Sequence, residues 1–254
     1  MWEQFAASGY SRFGLFEGRT GRGTRGDGSE SSVLWNAFRY QRCHADATSA
    51  ALQRLSLGPT DEYIVLDIGC GAGAVGVAFG EAVRSGVIPA APVRYVGFDH
   101  NPVAVALCKA IVGWPGLLPT GSTVTAAADL QSAVANVPAP GRQRYVFITA
   151  AYLFAQPGVE SLLRPLADSI AYLAHVHHGA VNVLNVNAAL PSRQWADFCG
   201  MLRADASLAL GDDRLTALTS PLRFPNLWWA EEMYAPPRPR SDNVAWGNLA
   251  VRPR

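Results

Sequence analysis

The segment that most restricts the fold is Val65-Leu66-Asp67-Ile68-Gly69-Cys70-Gly71-Ala72-Gly73. An apolar run, Tyr63 to Ile68, suits a parallel strand buried on both faces. It carries a carboxylate near its end and leads into a turn with glycine at every second position. Glycine reaches positive φ without a Cβ penalty and lets a ligand approach the backbone. The small residues from 72 to 84 then predict a helix packed closely on a sheet. Its first N–H groups and positive dipole end point back at the turn. Strand, glycine turn and helix together form the ligand-binding edge of an open α/β sheet.

The rest of the chain continues the alternation. Strands are predicted at 93–99, 122–126, 144–149 and 180–186. Helices are predicted at 33–55, 101–112, 158–175 and 191–204. Asn101-Pro102 is a strong helix start, a capping side chain followed by proline at the first helical position. Such alternation gives a mostly parallel sheet covered on both faces. Segments 213–220 and 243–251 both read as strands with no helix between them, which predicts an antiparallel end to the sheet. Residues 1–32 differ, with aromatics and then Gly18 to Gly28 interspersed with Arg19, Arg22 and Arg25. They read as an N-terminal extension or lid, and residues 33–254 as the main domain.

Composition excludes several classes. The chain has 254 residues, 49% of them apolar, and a net charge of +1. That fraction supports a core and gives no overall field toward nucleic acid or anionic lipid. The four cysteines, Cys43, Cys70, Cys108 and Cys199, form no Cys-x-x-Cys pair, so free thiols in a reducing cytoplasm are expected. No signal sequence or membrane-spanning run is read, and no metal is expected. His175, His177 and His178 cluster without a nearby acidic partner.

Carboxylates follow the next two strands. Asp99 ends the second and can accept hydrogen bonds from both hydroxyls of a ribose. Asp129 follows the third and can accept from an adenine amino group while the Leu130 N–H meets a ring nitrogen. Each acid also has a plain alternative as a helix cap. His100 either flanks the ribose or is simply exposed. Gly71-Ala72-Gly73-Ala74-Val75-Gly76 also fits a dinucleotide-binding pattern. That reading requires the strand to run on through Gly69-Cys70, and it sets Asp67 near a pyrophosphate of like charge.

The set Asp67-x-Gly69-x-Gly71-x-Gly73, Asp99 and Asp129 resembles the class I S-adenosylmethionine-dependent methyltransferases, over residues 60 to 190. The resemblance implies a Rossmann-like, mostly parallel seven-stranded sheet with an antiparallel last strand. It implies S-adenosylmethionine as cofactor. Asp67 and the turn Gly69, Cys70, Gly71 and Gly73 then hold the methionine part, Asp99 the ribose and Asp129 the adenine. The acceptor is expected beyond the fourth strand, at Thr149 to Phe154. Amine-directed members often carry Asn/Asp-Pro-Pro-Tyr/Phe there, and this chain keeps only the aromatic, Tyr152. Tyr152 is the candidate catalytic side chain, with ordinary loop packing as its alternative. Asn185, Asn187, Trp228, Trp229, Tyr234, Arg39 and Arg42 are further candidates to line the cleft. A small-molecule or peptide acceptor is expected ahead of RNA, whose case is the Arg-Gly segment. A non-catalytic cofactor-binding module and an NAD-binding protein are the alternatives.

Overall fold

The computed structural model describes residues 30–138, 144–156, 158–177, 180–188, 193–222 and 240–254. Its elements in chain order are α1 (Glu30–Leu52), β1 (Glu62–Ile68), α2 (Ala74–Arg84), β2 (Val93–Phe98), α3 (Pro102–Val112), β3 (Thr123–Ala127), α4 (Leu130–Ala135), β4 (Arg144–Ala151), a 3₁₀ turn (Leu153–Ala155), α5 (Glu160–His177), β5 (Val181–Ala188), α6 (Arg193–Ala204), β6 (Leu208–Leu210), β7 (Thr216–Leu222) and β8 (Arg240–Pro253).

The sheet order is β3-β2-β1-β4-β5-β8-β6, with β7 also paired to β8. Strands β1 to β5 are parallel, and β8 runs antiparallel to β5, β6 and β7. The expected seven strands are therefore eight, in seven lateral positions. The 14-residue β8 pairs with β5 along one side. On its other side its N-terminal half pairs with β7 and its C-terminal end with β6. The stretch from Gly211 to Leu215 separates those two short strands. Two elements were not foreseen, β6 and the 3₁₀ turn, and the six-residue α4 was foreseen only as the helix that Asp129 would cap. Each is too short to show a period.

The alternation of the strands explains the layers. In β1, Tyr63 and Val65 join one apolar cluster, with Ala51, Val75, Phe79 and Val112 from α1, α2 and α3. Ile64, Leu66 and Ile68 join another, with Ala133, Leu166, Ile170 and Phe198 from α4, α5 and α6. Every residue of β1 is buried, as a central parallel strand requires. In β3, Thr123 and Thr125 are exposed, so this short polar strand closes one edge of the sheet. At α3, the Asn101 side chain accepts from the Val103 N–H at 2.9 Å and Pro102 opens the helix. Among the described residues no helix is long and apolar enough to cross a membrane.

Candidate functional site

Strand register fixes the candidate residues at one sheet edge. Asp67 pairs with Gly97 and Thr149, and Gly97 with Ala126. Asp99 lies one residue beyond β2, where its N–H donates to the Ala127 carbonyl at 3.3 Å. Asp129 lies two residues beyond β3. All three acids thus occur at the carboxyl ends of neighbouring parallel strands.

The turn between β1 and α2 needs its glycines. Gly69, Gly71 and Gly73 have φ of 71°, 50° and 79°. A Cβ on Gly73 would lie 2.3 Å from Val112 Cγ2, so this glycine lets α2 start hard against α3. A Cβ on Gly71 would meet nothing closer than the Gly69 carbonyl at 4.0 Å. Space therefore opens over Gly71 and closes over Gly73. The Cys70 N–H donates to the Phe98 carbonyl at 2.8 Å, tying the turn to β2. The Cys70 side chain is buried, and its hydrogen bond with Cys108, with burial, pushes its thiol pKa up. Gly97 makes room for both thiols, since a Cβ there would lie 3.0 Å from Cys70 Sγ and 3.2 Å from Cys108 Sγ.

The three acids differ in environment. Asp67 is 1% exposed; it accepts from the Tyr95 hydroxyl at 2.5 Å and the Thr149 hydroxyl at 3.0 Å. Burial raises its pKa to about 6, against those two hydrogen bonds. Asp99 accepts from the Gly71 N–H at 3.0 Å and the Asn101 N–H at 3.0 Å. It cross-links the glycine turn to the end of β2, and two bonds leave acceptor capacity on its oxygens. The α3 cap is Asn101, so Asp99 is not a helix cap. Asp129 is exposed and does cap α4, accepting from the Ser132 N–H at 2.7 Å, which lowers its pKa. Leu130 follows as the first residue of α4. The His100 side chain is 92% exposed, with Nδ1 3.5 Å from Asp99 Oδ1.

Where the sequence places the acceptor, Tyr152 follows β4 with φ 60°, the one non-glycine residue at positive φ among the described residues. Its N–H donates to the Val186 carbonyl at 2.6 Å. Its ring stacks on His44 of α1, centroids 3.8 Å apart and planes 14° apart. Burial lowers the His44 pKa to about 4. Asn185 and Asn187 are buried on β5, and neither atom of the Asn185 carboxamide has a hydrogen-bond partner among the described residues. Arg42 is held by Asp46 at 3.0 Å and Glu81 at 2.5 Å. The Arg39 side chain, His178, Trp228, Trp229, Tyr234 and the 18–28 segment lie outside the described residues. His175 contacts Ser207 Oγ at 3.0 Å. Among the described residues no group of three or more His, Cys, Asp or Glu is arranged to hold a metal.

Sequence reasoning missed Tyr95, Gln41 and His44, and it placed Thr149 in the acceptor segment rather than on Asp67. Gln41 and His44 stand on α1 at helical spacing, on a buried face with Ala37, Ala45, Thr48 and Leu52. Gln41 Nε2 donates to the Ala72 carbonyl at 2.7 Å, and polar residues on a buried face were the available signal.

The dinucleotide alternative shares the β3-β2-β1-β4-β5 order, so the far side of the sheet decides. There an antiparallel β8 is inserted between β5 and β6. The chain has the class I methyltransferase fold. The turn agrees with it, since β1 stops at Ile68 and Gly69 already has positive φ.

No family model matches the chain, and no curated protein matches it. Among solved structures, it is similar to the methyltransferase in complex with the Haloferax volcanii Trm112 methyltransferase activator, at 15% identity and TM-score 0.47, over 91% of this chain and 98% of that one. It is similar to the plantazolicin methyltransferase BpumL in complex with SAH, at 10% identity and TM-score 0.41, over 100% and 98%. A third is the Haemonchus contortus phosphoethanolamine N-methyltransferase 2, at 12% and TM-score 0.41, over 89% and 58%. Likenesses this distant decide nothing about activity or acceptor.

Proposed function

We propose that this chain binds S-adenosylmethionine at the edge formed by β1, β2 and β3 and transfers its methyl group to a small-molecule or peptide acceptor. The observation that carries the reading is the glycine turn, open over Gly71, bonded to Asp99 and topped by the N-terminus of α2. The residues present suit the cofactor. Asp99 has acceptor capacity for ribose hydroxyls, and the exposed Asp129 carboxylate and Leu130 N–H stand at the adenine end. Cys70 contributes backbone to the turn, and His100 stands beside Asp99 at the solvent rim.

Asp67 takes a less direct part. Its oxygens are engaged by Tyr95 and Thr149. Its negative charge lies beneath the turn, where it favours an ammonium group without touching it. Bound S-adenosylmethionine supplies an electrophilic methyl group on a sulfonium. The chain's task is to hold an acceptor atom in line with that methyl and to exclude water, and such positioning is worth on the order of 7–11 kcal/mol in favourable cases.

Calorimetry with S-adenosylmethionine and, in parallel, NAD tests the reading. Binding of the first at micromolar concentration with no heat from the second supports it. NAD binding, or no response to S-adenosylmethionine at millimolar concentration, overturns it. An RNA acceptor predicts RNA affinity that falls with salt and with neutralisation of Arg19, Arg22 and Arg25.

A further inference from the structure

The methionine end of S-adenosylmethionine carries an ammonium, which asks for a hydrogen-bond acceptor at the glycine turn. The carboxylates around that turn are engaged. Asp67 is 1% exposed, and its two oxygens accept from Tyr95 and Thr149. Asp99 accepts from the Gly71 and Asn101 N–H groups and stands on the ribose side. Asp46 and Glu81 are both paired with Arg42. That bridge from α1 to α2 also fixes α1 beside the turn.

α1 brings a neutral acceptor to the same place. Gln41 is 3% exposed on the buried face of this helix, where an apolar side chain would pack without the cost of burying an amide. Its Nε2 donates to the Ala72 carbonyl at 2.7 Å. A carbonyl only accepts, so the nitrogen must be the atom turned to Ala72, and Oε1 is the other one. Among the described residues Oε1 has no hydrogen-bond partner. Nor is it sealed in. The enclosed side-chain atoms without a partner include Thr48 Oγ1, Ser49 Oγ and both carboxamide atoms of Asn185, but not Gln41 Oε1. Ala72 stands between Gly71, where a Cβ would meet nothing closer than 4.0 Å, and Gly73, where Val112 closes the space. The carboxamide is thus held at the rim of the opening over the turn.

We propose that Gln41 is a cofactor-binding residue whose Oε1 accepts a hydrogen bond from the ammonium of S-adenosylmethionine; this rests on the methyltransferase reading above. An ammonium only donates and an amide oxygen only accepts, so the pair is matched in kind. A bond from a charged donor is stronger than one between neutral groups. The bond from Nε2 to Ala72 sets the carboxamide in advance, so little side-chain freedom is lost when the ligand arrives. Asp67 beneath the turn adds attraction through its charge, and Gln41 supplies the contact that the enclosed carboxylate does not.

The test measures binding to the full chain, so no methyl acceptor is needed. Its two ligands are S-adenosylhomocysteine and the analogue in which hydrogen replaces the amino group. The parent protein is expected to bind S-adenosylhomocysteine at least about tenfold more tightly, the worth of one hydrogen bond from a charged donor. Gln41→Leu keeps the bulk on a buried face but removes the acceptor. It is expected to cut the preference to about threefold or less, while the affinity for the analogue stays within about threefold of parent. Gln41→Glu keeps an acceptor oxygen and is expected to keep the preference. No preference in the parent protein, a preference that survives Gln41→Leu, or its loss in Gln41→Glu overturns the contact. An equal loss of both ligands in Gln41→Leu also overturns it, since that marks Gln41 as an anchor of the turn alone. Each of these leaves the cofactor reading intact. Failure of the parent protein to bind S-adenosylhomocysteine overturns the cofactor reading, and this inference with it.

Discussion

Asp67 and His44 show how burial acts on single residues near the cleft, with opposite signs. The folded state raises the Asp67 pKa from 3.8 to about 6, because burial disfavours the charged carboxylate. Between those values the folded protein holds a proton that the unfolded chain has released. The contribution is therefore complete below pH 3.8 and lost as pH rises through 6, a change on the order of 3 kcal/mol. Burial lowers His44 from 6.5 to about 4, so its contribution is present above 6.5 and lost as pH falls through 4. The two trends offset one another in the parent protein. Urea unfolding across pH 4–7 separates them: relative to parent, Asp67→Asn should gain stability as pH rises, and His44→Gln should gain it as pH falls. Parallel curves for parent and Asp67→Asn would show that the carboxylate is not enclosed as described. A ligand contact is tested at Asp99. Asp99→Ala removes the acceptor of the Gly71 N–H and any ribose bonds, so the Kd for S-adenosylmethionine should rise at least about tenfold. An unchanged Kd would move the ribose elsewhere.

At the scale of elements, the glycine turn separates a packing role from a binding role. At Gly73, φ 79° and a Cβ 2.3 Å from Val112 combine backbone strain with a clash. Gly73→Ala is expected to cost about 2–4 kcal/mol in urea unfolding. At Gly71, φ 50° adds strain but the space is open, so Gly71→Ala should cost only about 1 kcal/mol. The same change should still weaken S-adenosylmethionine binding, because the new methyl intrudes where the ligand approaches. Equal stability losses at the two positions would contradict this division. The turn was legible in the sequence because its glycines follow a strand whose apolar run and terminal acid mark its end. The alternation of strands and helices was legible for the same reason. β6 was not, because three residues carry too few side chains to show a period, and the six-residue α4 was marked only by its cap Asp129. Nor was the His44–Tyr152 contact, which joins residues 108 positions apart through a helix that precedes the sheet. The roles of Asp99 and Asp129 as alternative caps could only be decided by geometry: Asp129 caps its helix, whereas Asn101 takes that place from Asp99.

For the molecule as a whole, β8 is the strand that joins the parallel sheet to its far edge. It is hydrogen-bonded to β5 on one side and to β6 and β7 on the other. Leu249 and Val251 point from it into the cluster under α5 and α6, while Val244 points into the cluster under α1 and α2. A defect in β8 therefore touches both layers. Leu249 is fully buried, and Leu249→Ala should cost about 2–5 kcal/mol. The proposed cofactor site lies on the opposite half of the sheet, at β1, β2 and β3, more than one strand away from Leu249. Destabilisation there should lower Tm without altering the affinity of the folded protein. Ligand linkage makes this measurable in one instrument. S-adenosylmethionine at 100 times its Kd adds about 2.7 kcal/mol to a folded state that alone binds it. For a chain of this length that corresponds to a rise in Tm of roughly 5–10 °C. Parent and Leu249→Ala should show the same rise from different starting temperatures, and Asp99→Ala should show about half that rise or less at the same ligand concentration. A rise lost in Leu249→Ala but kept in Asp99→Ala would place the ligand at the β8 end of the sheet, against the glycine turn.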